Sequence, residues 1–420
     1  MKKVTAVLIG AGGRGAGAYG SYILAHPDEI SLVSLAEPDP EKRDRVGTIH
    51  GIPEEMRFSG WEELLSKPKL ADTALICTQD RMHYKPAMEA IAKGYHILLE
   101  KPMAVDPAEC VTIAKHAKNN NTILSVCHVL RYTEFFTMMK KLLNEKVIGK
   151  LVSIQHNENV GYWHQAMSYT RGSWRNSLES SPMILAKCCH DMDLLTWFIG
   201  SNCKYISSYG SLTYFKNANA PPGAPEFCQD GCPVQDSCPW YAPRFYLDGF
   251  YTEWATGCPE NANREEQLNA LRRSGHGRCV FRCDNDVVDH QVVCAEFENE
   301  VTVAFTMCAF TNDCNRTIKL MGTKGEIRGD LNKNEIEMID FLTGKRQIIS
   351  TACEDETGYG HGGGDFGIMR DFVELIRKGY SKEAEQSANT SLQGHLMAFA
   401  AEQSRIEKKS VDMREYIAKF

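Results

Sequence analysis

The stretch Val4-Thr5-Ala6-Val7-Leu8-Ile9-Gly10-Ala11-Gly12-Gly13-Arg14-Gly15 decides the fold. Its first six residues are almost entirely apolar and of strand length. A strand with no polar face is expected to be covered on both sides, as in a parallel sheet. It runs straight into Gly10, Gly12 and Gly15, spaced G-x-G-x-x-G, and then into a helical segment, Ala16 to Ala25, stopped near Pro27. Lys2 and Lys3 before a short apolar run resemble the start of a secretory signal. The run lies at the low limit of the ~7–15 residues such a signal needs, and the glycines follow at once, so a buried strand is the reading taken.

Outward from this turn, short apolar segments alternate with helical ones. Strands are expected at Ser31–Glu37, Thr73–Thr78, His96–Leu99 and Thr122–Val126. Helices are expected at Pro40–Val46, Trp61–Ser66, Pro86–Lys93 and Pro107–Lys118. That alternation predicts a doubly wound parallel sheet of the Rossmann type over residues 1–126. After residue 127 the pattern changes. Helices at Phe135–Leu143, Met183–Ile199, Phe366–Lys378 and Leu392–Lys408 accompany strands at Gly149–Asn157, Gln291–Phe297, Val301–Ala309 and Thr317–Gly322 that read as antiparallel. Residues 127–420 are therefore expected to form an α+β domain with a mostly antiparallel sheet, carrying a Cys-rich insertion at about 216–286. The fold class is α/β.

Composition bounds the rest. The 420 residues are 43% hydrophobic and 24% charged, and 47 Lys and Arg against 54 Asp and Glu leave a formal charge of −7. No basic surplus offers itself to a nucleic-acid backbone, and no apolar run reaches the ~18–20 residues of a membrane span. Several of the 16 cysteines lie inside apolar segments, which reads as reduced thiols in a cytoplasmic protein.

The glycine turn has a chemical reading. The first glycine permits the tight turn, the second lets backbone approach a pyrophosphate, and the third lets helix and strand pack closely. The helix start then offers free N–H groups to phosphate. Glu37 ends the second strand 22 residues after Gly15. There it can accept from ribose hydroxyls and would repel a 2′-phosphate, favouring NAD over NADP.

At Thr78-Gln79-Asp80-Arg81-Met82-His83 and at Leu98-Leu99-Glu100-Lys101-Pro102-Met103 the chain resembles the Gfo/Idh/MocA family, the glucose–fructose oxidoreductase and inositol dehydrogenase group. The resemblance continues through His128-Val129-Leu130-Arg131-Tyr132, His190-Asp191-Met192-Asp193 and the segment 321–330, MGTKGEIRGD. It implies a C-terminal open antiparallel sheet, bound NAD(P), which Glu37 narrows to NAD, a sugar or cyclitol substrate, and homodimers or homotetramers built through that sheet. The implied cofactor residues are Gly10, Gly12, Gly13, Arg14, Gly15, Glu37, Thr78, His83, Glu100, Lys101 and His128. Lys101 would stand near the nicotinamide and hydrogen-bond the reacting hydroxyl, after a Lys–Pro bond that the family often keeps cis. His190 would be the general base. The aspartate that the family usually carries four residues earlier is Ala186 here. Lys187, about one helical turn from His190 and Asp191, completes the expected catalytic group, either as a second cation at the sugar or as the ion-pair partner of Asp191.

Arg131 and Tyr132 are expected on the substrate side. So are Tyr162, Trp163, His164, Arg171, Trp174 and Arg175, because aromatic faces and guanidinium forks suit a polyol; a packed loop is the alternative. His361 and Asp365 flank a glycine triplet that is either a substrate-facing loop or a turn capped by Asp365. Cys228, Cys232, Cys238 and Cys279 are the expected ligands of a structural zinc, with Cys283, Cys258 and His290 as other fourth ligands. An iron–sulfur cluster, free thiols or a labile disulfide would use the same residues. The leading reading is an NAD-dependent oxidoreductase acting on a ring hydroxyl of a sugar, glycoside or cyclitol. The alternatives are a glycosidase that oxidises transiently, eliminates the aglycone and re-reduces with the same NAD, and an NAD-binding regulator without turnover.

Overall fold

In the computed structural model, which describes residues 2–249, 252–259, 261–352 and 361–420, the glycine-flanked strand β1 (Val4–Ile9) lies inside a six-stranded sheet. Its neighbours are β2 (Ile30–Ala36), β3 (Arg57–Phe58), β4 (Thr73–Ile76), β5 (His96–Leu99) and β6 (Leu124–Val126). The order is β3-β2-β1-β4-β5-β6, all parallel. The chain reverses direction across the sheet between β1 and β4, so the carboxyl ends of the strands open a crevice there. Gly10, Glu37, Thr78, Lys101 and His128 all stand at or within two residues of those ends. The helix Gly364–Lys378 comes from far along the chain to cover this sheet, packing Ile368, Met369, Phe372 and Val373 onto Val4, Ala6 and Leu8.

The second sheet joins β7 (Leu151–Asn159), β8 (Cys203–Ser211), β9 (His290–Phe297), β10 (Thr302–Cys308), β11 (Asn315–Gly322), β12 (Gly325–Asp330), β13 (Glu335–Asp340), β14 (Arg346–Ser350) and β15 (Val411–Asp412). Their order is β14-β13-β12-β11-β7-β10-β9-β8-β15; β10 runs parallel to β7 and every other pairing is antiparallel. Burial alternates along β9 and β10, as one covered face requires. The covered face packs on the helices Cys189–Ile199 and Lys382–Glu407. The other face leaves Tyr205, Tyr209, Val292 and Ile348 exposed.

The expected helix Met183–Ile199 is two helices, Met183–Ala186 and Cys189–Ile199, with a break at Lys187–Cys188. The expected Leu392–Lys408 helix starts ten residues earlier, at Lys382, where the Ser381 hydroxyl accepts from Ala384 N–H. Among the described residues no helix is long and apolar enough to cross a membrane.

Candidate active site

The glycine loop is built for close approach. Gly10 has φ +93°, and a Cβ there would come 2.6 Å from the Cys77 carbonyl oxygen; at Gly15 it would come 2.1 Å from that of Gly10. Gly12 and Gly13 face open space, where backbone N–H groups remain approachable by phosphate. Glu37 is sealed at 8% exposure and accepts from Ala11 N–H (2.8 Å) and Asp39 N–H (3.1 Å), so it also fixes the loop. Thr78 Oγ1 and His128 Nδ1 are buried along this crevice without a hydrogen-bond partner, while His128 Nε2 lies 3.5 Å from Asp193 Oδ1. Open backbone at the turn and unsatisfied polar atoms beyond it fit a dinucleotide.

Two expected cofactor residues are turned inward instead. His83 is fully buried, with Nδ1 2.6 Å from Pro102 O and Nε2 3.0 Å from Thr78 O, and braces the turn after β5. Arg14 turns from the phosphate side to Glu100 (Nε, 2.7 Å), Asp365 (Nη2, 2.7 Å) and the Tyr19 hydroxyl (2.6 Å). Burial pushes the Glu100 carboxyl up, but Arg14 and Lys101 outweigh it and hold it below its ordinary range. The other Glu100 oxygen accepts from Lys101 N–H. Asp365 is thus a support of the glycine loop rather than a free substrate contact.

The Lys101–Pro102 bond is cis. Lys101 Nζ donates to the Ala186 carbonyl at 2.9 Å and lies 5.8 Å from the Trp174 ring centre. The break after Ala186 presents that carbonyl at the position where the family usually carries an acid. His190, four residues after Ala186, is buried, its ring 5.5 Å from His128 and 6.2 Å from His361. Burial, then the Lys101 cation, then His128 push its pKa well below the ordinary histidine value. A neutral imidazole beside an ammonium can take a proton from a hydroxyl that the ammonium polarises.

Lys187 lies ahead of the helix, which begins only at Cys189, and it is linked to Asp191 through Glu158 and Arg316 rather than by a direct pair. Lys187 Nζ pairs with Glu158 at 3.4 Å. Asp191 is fully buried and accepts from His156 Nε2 (2.7 Å) and Arg316 Nε (2.8 Å); Arg316 also pairs with Glu158 (2.5 Å). Asp191 therefore belongs to a closed ion network under the pocket. The sequence reading missed His156, Glu158 and Arg316. The signal was available: His156 and Glu158 alternate inward along β7. Arg131 likewise grips Asp193 with both Nε and Nη2 inside the core and does not reach the pocket. Tyr132 donates to Asp371 at 3.0 Å.

The 162–175 loop divides. Trp174 reaches Lys101, while His164 approaches Cys314 (3.7 Å) and stacks on Trp163. Tyr162 packs on Trp240, Arg171 donates to the carbonyls of Arg278 and Trp240, and Arg175 binds Asp284 at the surface. These three serve the insertion, not the pocket. The expected zinc centre is not formed: among the described residues no group of three or more His, Cys, Asp or Glu could hold a metal ion. Cys228, Cys232, Cys238 and Cys279 do line one small cavity, but with Val234, Trp240 and Phe281. The hydrogen bond from Cys279, with Arg171 beside it, holds the Cys228 thiol below its ordinary range. The segment takes its order from an apolar cluster of Phe215, Trp240, Tyr246, Leu271, Val280 and Phe281 that its irregular sequence concealed. Cys283 donates to the Cys279 carbonyl and His290 pairs with Asp289.

Residues 4–128 match the oxidoreductase family described as an NAD-binding Rossmann fold, and residues 140–413 match its C-terminal alpha/beta domain. The chain belongs to the Gfo/Idh/MocA oxidoreductase family. Among family relatives, YteT of Bacillus subtilis, described as an oxidoreductase, is 21% identical over 91% of each chain. The Escherichia coli 2,7-anhydro-N-acetylneuraminate hydratase is 26% identical over 37% of this chain and 40% of its own. The fold is that of levoglucosan dehydrogenase in complex with NADH and levoglucosan: TM-score 0.71, 17% identity, 98% of this chain and 100% of that one.

The buried histidines of this Gfo/Idh/MocA chain carry an acid-stability signature. Burial lowers the pKa values of His128 and His190 strongly and those of His276 and His395 to about 4. Above about 6.5 folded and unfolded states are alike at these groups; below it the unfolded chain binds protons that the folded one refuses, so stability falls with pH. The steepest loss is expected between 6.5 and 4, with a melting temperature several degrees lower at pH 5 than at pH 7.5 by calorimetry. Equal melting temperatures would contradict the burial of these rings as neutral groups.

Proposed function

We propose that this protein is an NAD-dependent oxidoreductase that transfers hydride between a ring hydroxyl carbon of a sugar, glycoside or cyclitol and the nicotinamide. The observation that carries the reading is Lys101 at the carboxyl end of β5, beside the glycine crevice, bonded to the Ala186 carbonyl just ahead of the helix that carries the buried His190. Bound NAD supplies the hydride acceptor. Lys101 Nζ hydrogen-bonds the substrate oxygen and favours alkoxide character; His190 accepts the hydroxyl proton. The ion network of Glu158, Lys187, Arg316 and Asp191 holds the floor under them. Trp174, His164 and His361 line the substrate side. The relatives include inositol 2-dehydrogenases, which supports a polyol substrate.

The exposed face of the second sheet, with Tyr205, Tyr209 and Val292 on the neighbouring β8 and β9 and Ile348 on β14 at the other edge, supports a homodimer or homotetramer. The free thiols support a cytoplasmic protein.

One observation favours a second reading. Relatives named as hydratases support a redox-neutral reaction, such as glycoside cleavage, in which the same NAD is reduced and reoxidised within one cycle.

The test is a panel of cyclitols, sugars and aryl glycosides, followed at the NADH absorbance band and for released aglycone. Net NADH formation supports the first reading; aglycone release without NADH supports the second. With Glu37 at the ribose end of the crevice, NAD is expected to bind at least ~10-fold more tightly than NADP, about 1.4 kcal/mol. Equal affinities by titration calorimetry would remove that role from Glu37.

A further inference from the structure

We propose that Asp80 is a positioning residue that fastens the loop of residues 174–181 over Lys101, making the Trp174 indole the roof of the reactive lysine. Asp80 follows β4 of the first sheet and is 8% exposed. Both its oxygens are taken by one distant loop. Oδ1 accepts from Trp174 Nε1 at 3.3 Å; Oδ2 accepts from Ser180 Oγ at 3.0 Å and Ser181 Oγ at 3.1 Å. Its neighbour Arg81 adds a bond to the Ser177 carbonyl at 3.1 Å. A carboxylate buried this way needs its hydrogen bonds, so its orientation and that of the loop are set together.

The far side of the loop has separate anchors. Arg175 binds both oxygens of Asp284 (2.9 and 3.0 Å), and Ser177 binds Asp286 through N–H and hydroxyl, each at 2.7 Å. Asp80 and Arg81 are the anchors on the Lys101 side. There Trp174 stands 5.8 Å from Lys101 Nζ. The indole N–H that Asp80 holds fixes which way the ring lies, and the ring limits what reaches the ammonium. Without Asp80 the loop keeps its outer ties while its inner edge opens locally.

The importance of Lys101 rests on the function proposed above; its accessibility does not. The experiment is reductive methylation with formaldehyde and a borane reductant on the full chain, resolved by site with mass spectrometry. Asp80→Ala is expected to raise the rate at Lys101 at least ~10-fold, and Trp174→Phe, which keeps a ring but loses the N–H, to raise it by several-fold. Asp80→Asn, which retains one acceptor oxygen, should fall between wild type and Asp80→Ala. The rate at Lys140, whose ammonium is held by the Trp197 carbonyl, should stay at wild-type level. A general loosening would raise Lys140 together with Lys101 and would reduce Asp80 to a structural residue. Lys101 rates within two-fold of wild type in Asp80→Ala would overturn the proposal; if that variant does not fold, Trp174→Phe and the Ser180→Ala/Ser181→Ala pair decide by the same criterion. Normal turnover in Lys101→Ala would remove the lysine from the reaction while leaving the labelling result to stand.

Discussion

Replacing Lys101 by alanine is expected to lower turnover by about 100-fold or more, close to 2.7 kcal/mol of lost transition-state stabilisation, while NAD affinity changes by less than about three-fold. The split follows from geometry. Lys101 Nζ donates to the Ala186 carbonyl and faces the His190 pocket, whereas the glycine loop is held by Glu37, Arg14 and close backbone packing. His190→Ala should behave in the same way, with the loss partly restored by added imidazole, because a small base can enter the space the ring leaves. Steady-state kinetics with a calorimetric cofactor titration checks both halves. A fall in cofactor binding that matches the fall in turnover would assign Lys101 to the cofactor rather than to the reacting oxygen.

Arg316→Met should destabilise the protein by about 3–5 kcal/mol, the cost of removing one partner from a buried ion network. Glu158 and Asp191 are both fully buried; Arg316 pairs with each, and Lys187 is the further cation at Glu158. Without the guanidinium the two acids cannot both stay ionised at neutral pH, and the floor beneath Lys187 has to rearrange. Arg328→Met offers the contrast. Its pairs with Glu326 and Glu337 lie on the open sheet face with the arginine half exposed, so its loss should cost less than about 1 kcal/mol. Thermal melts of the two variants side by side make the comparison; equal shifts would contradict the sealed character of the network.

The first sheet was legible because its strands are short apolar runs bounded by glycine and proline, and because the β1 turn needs glycine at defined places. The lysine and histidine of the pocket were legible through their motifs. What the motifs could not convey was direction. Arg131 lies in a motif yet points at Asp193; Arg14 lies in the glycine loop yet reaches Asp365, 351 positions away. Such pairings depend on where a helix from the far end of the chain lands, and periodicity is silent on that. The break at Lys187–Cys188 was invisible because Ala186 to Cys189 contains no glycine or proline, although it is this break that gives Lys101 its carbonyl partner. Three thiols close in sequence suggested a metal, but the aromatic cluster around them orders the segment by burial, and aromatic residues scattered through an irregular stretch have no period to detect.

The central claim is hydride transfer between a ring carbon and bound NAD under Lys101 and His190. It is tested most directly with a polyol substrate deuterated at the oxidised carbon, with mass analysis of the dinucleotide recovered after turnover. The account predicts one deuterium in the reduced dinucleotide per ketone formed, with no such transfer in Lys101→Ala or His190→Ala over the same period. Product formation with no deuterium in the dinucleotide would contradict it.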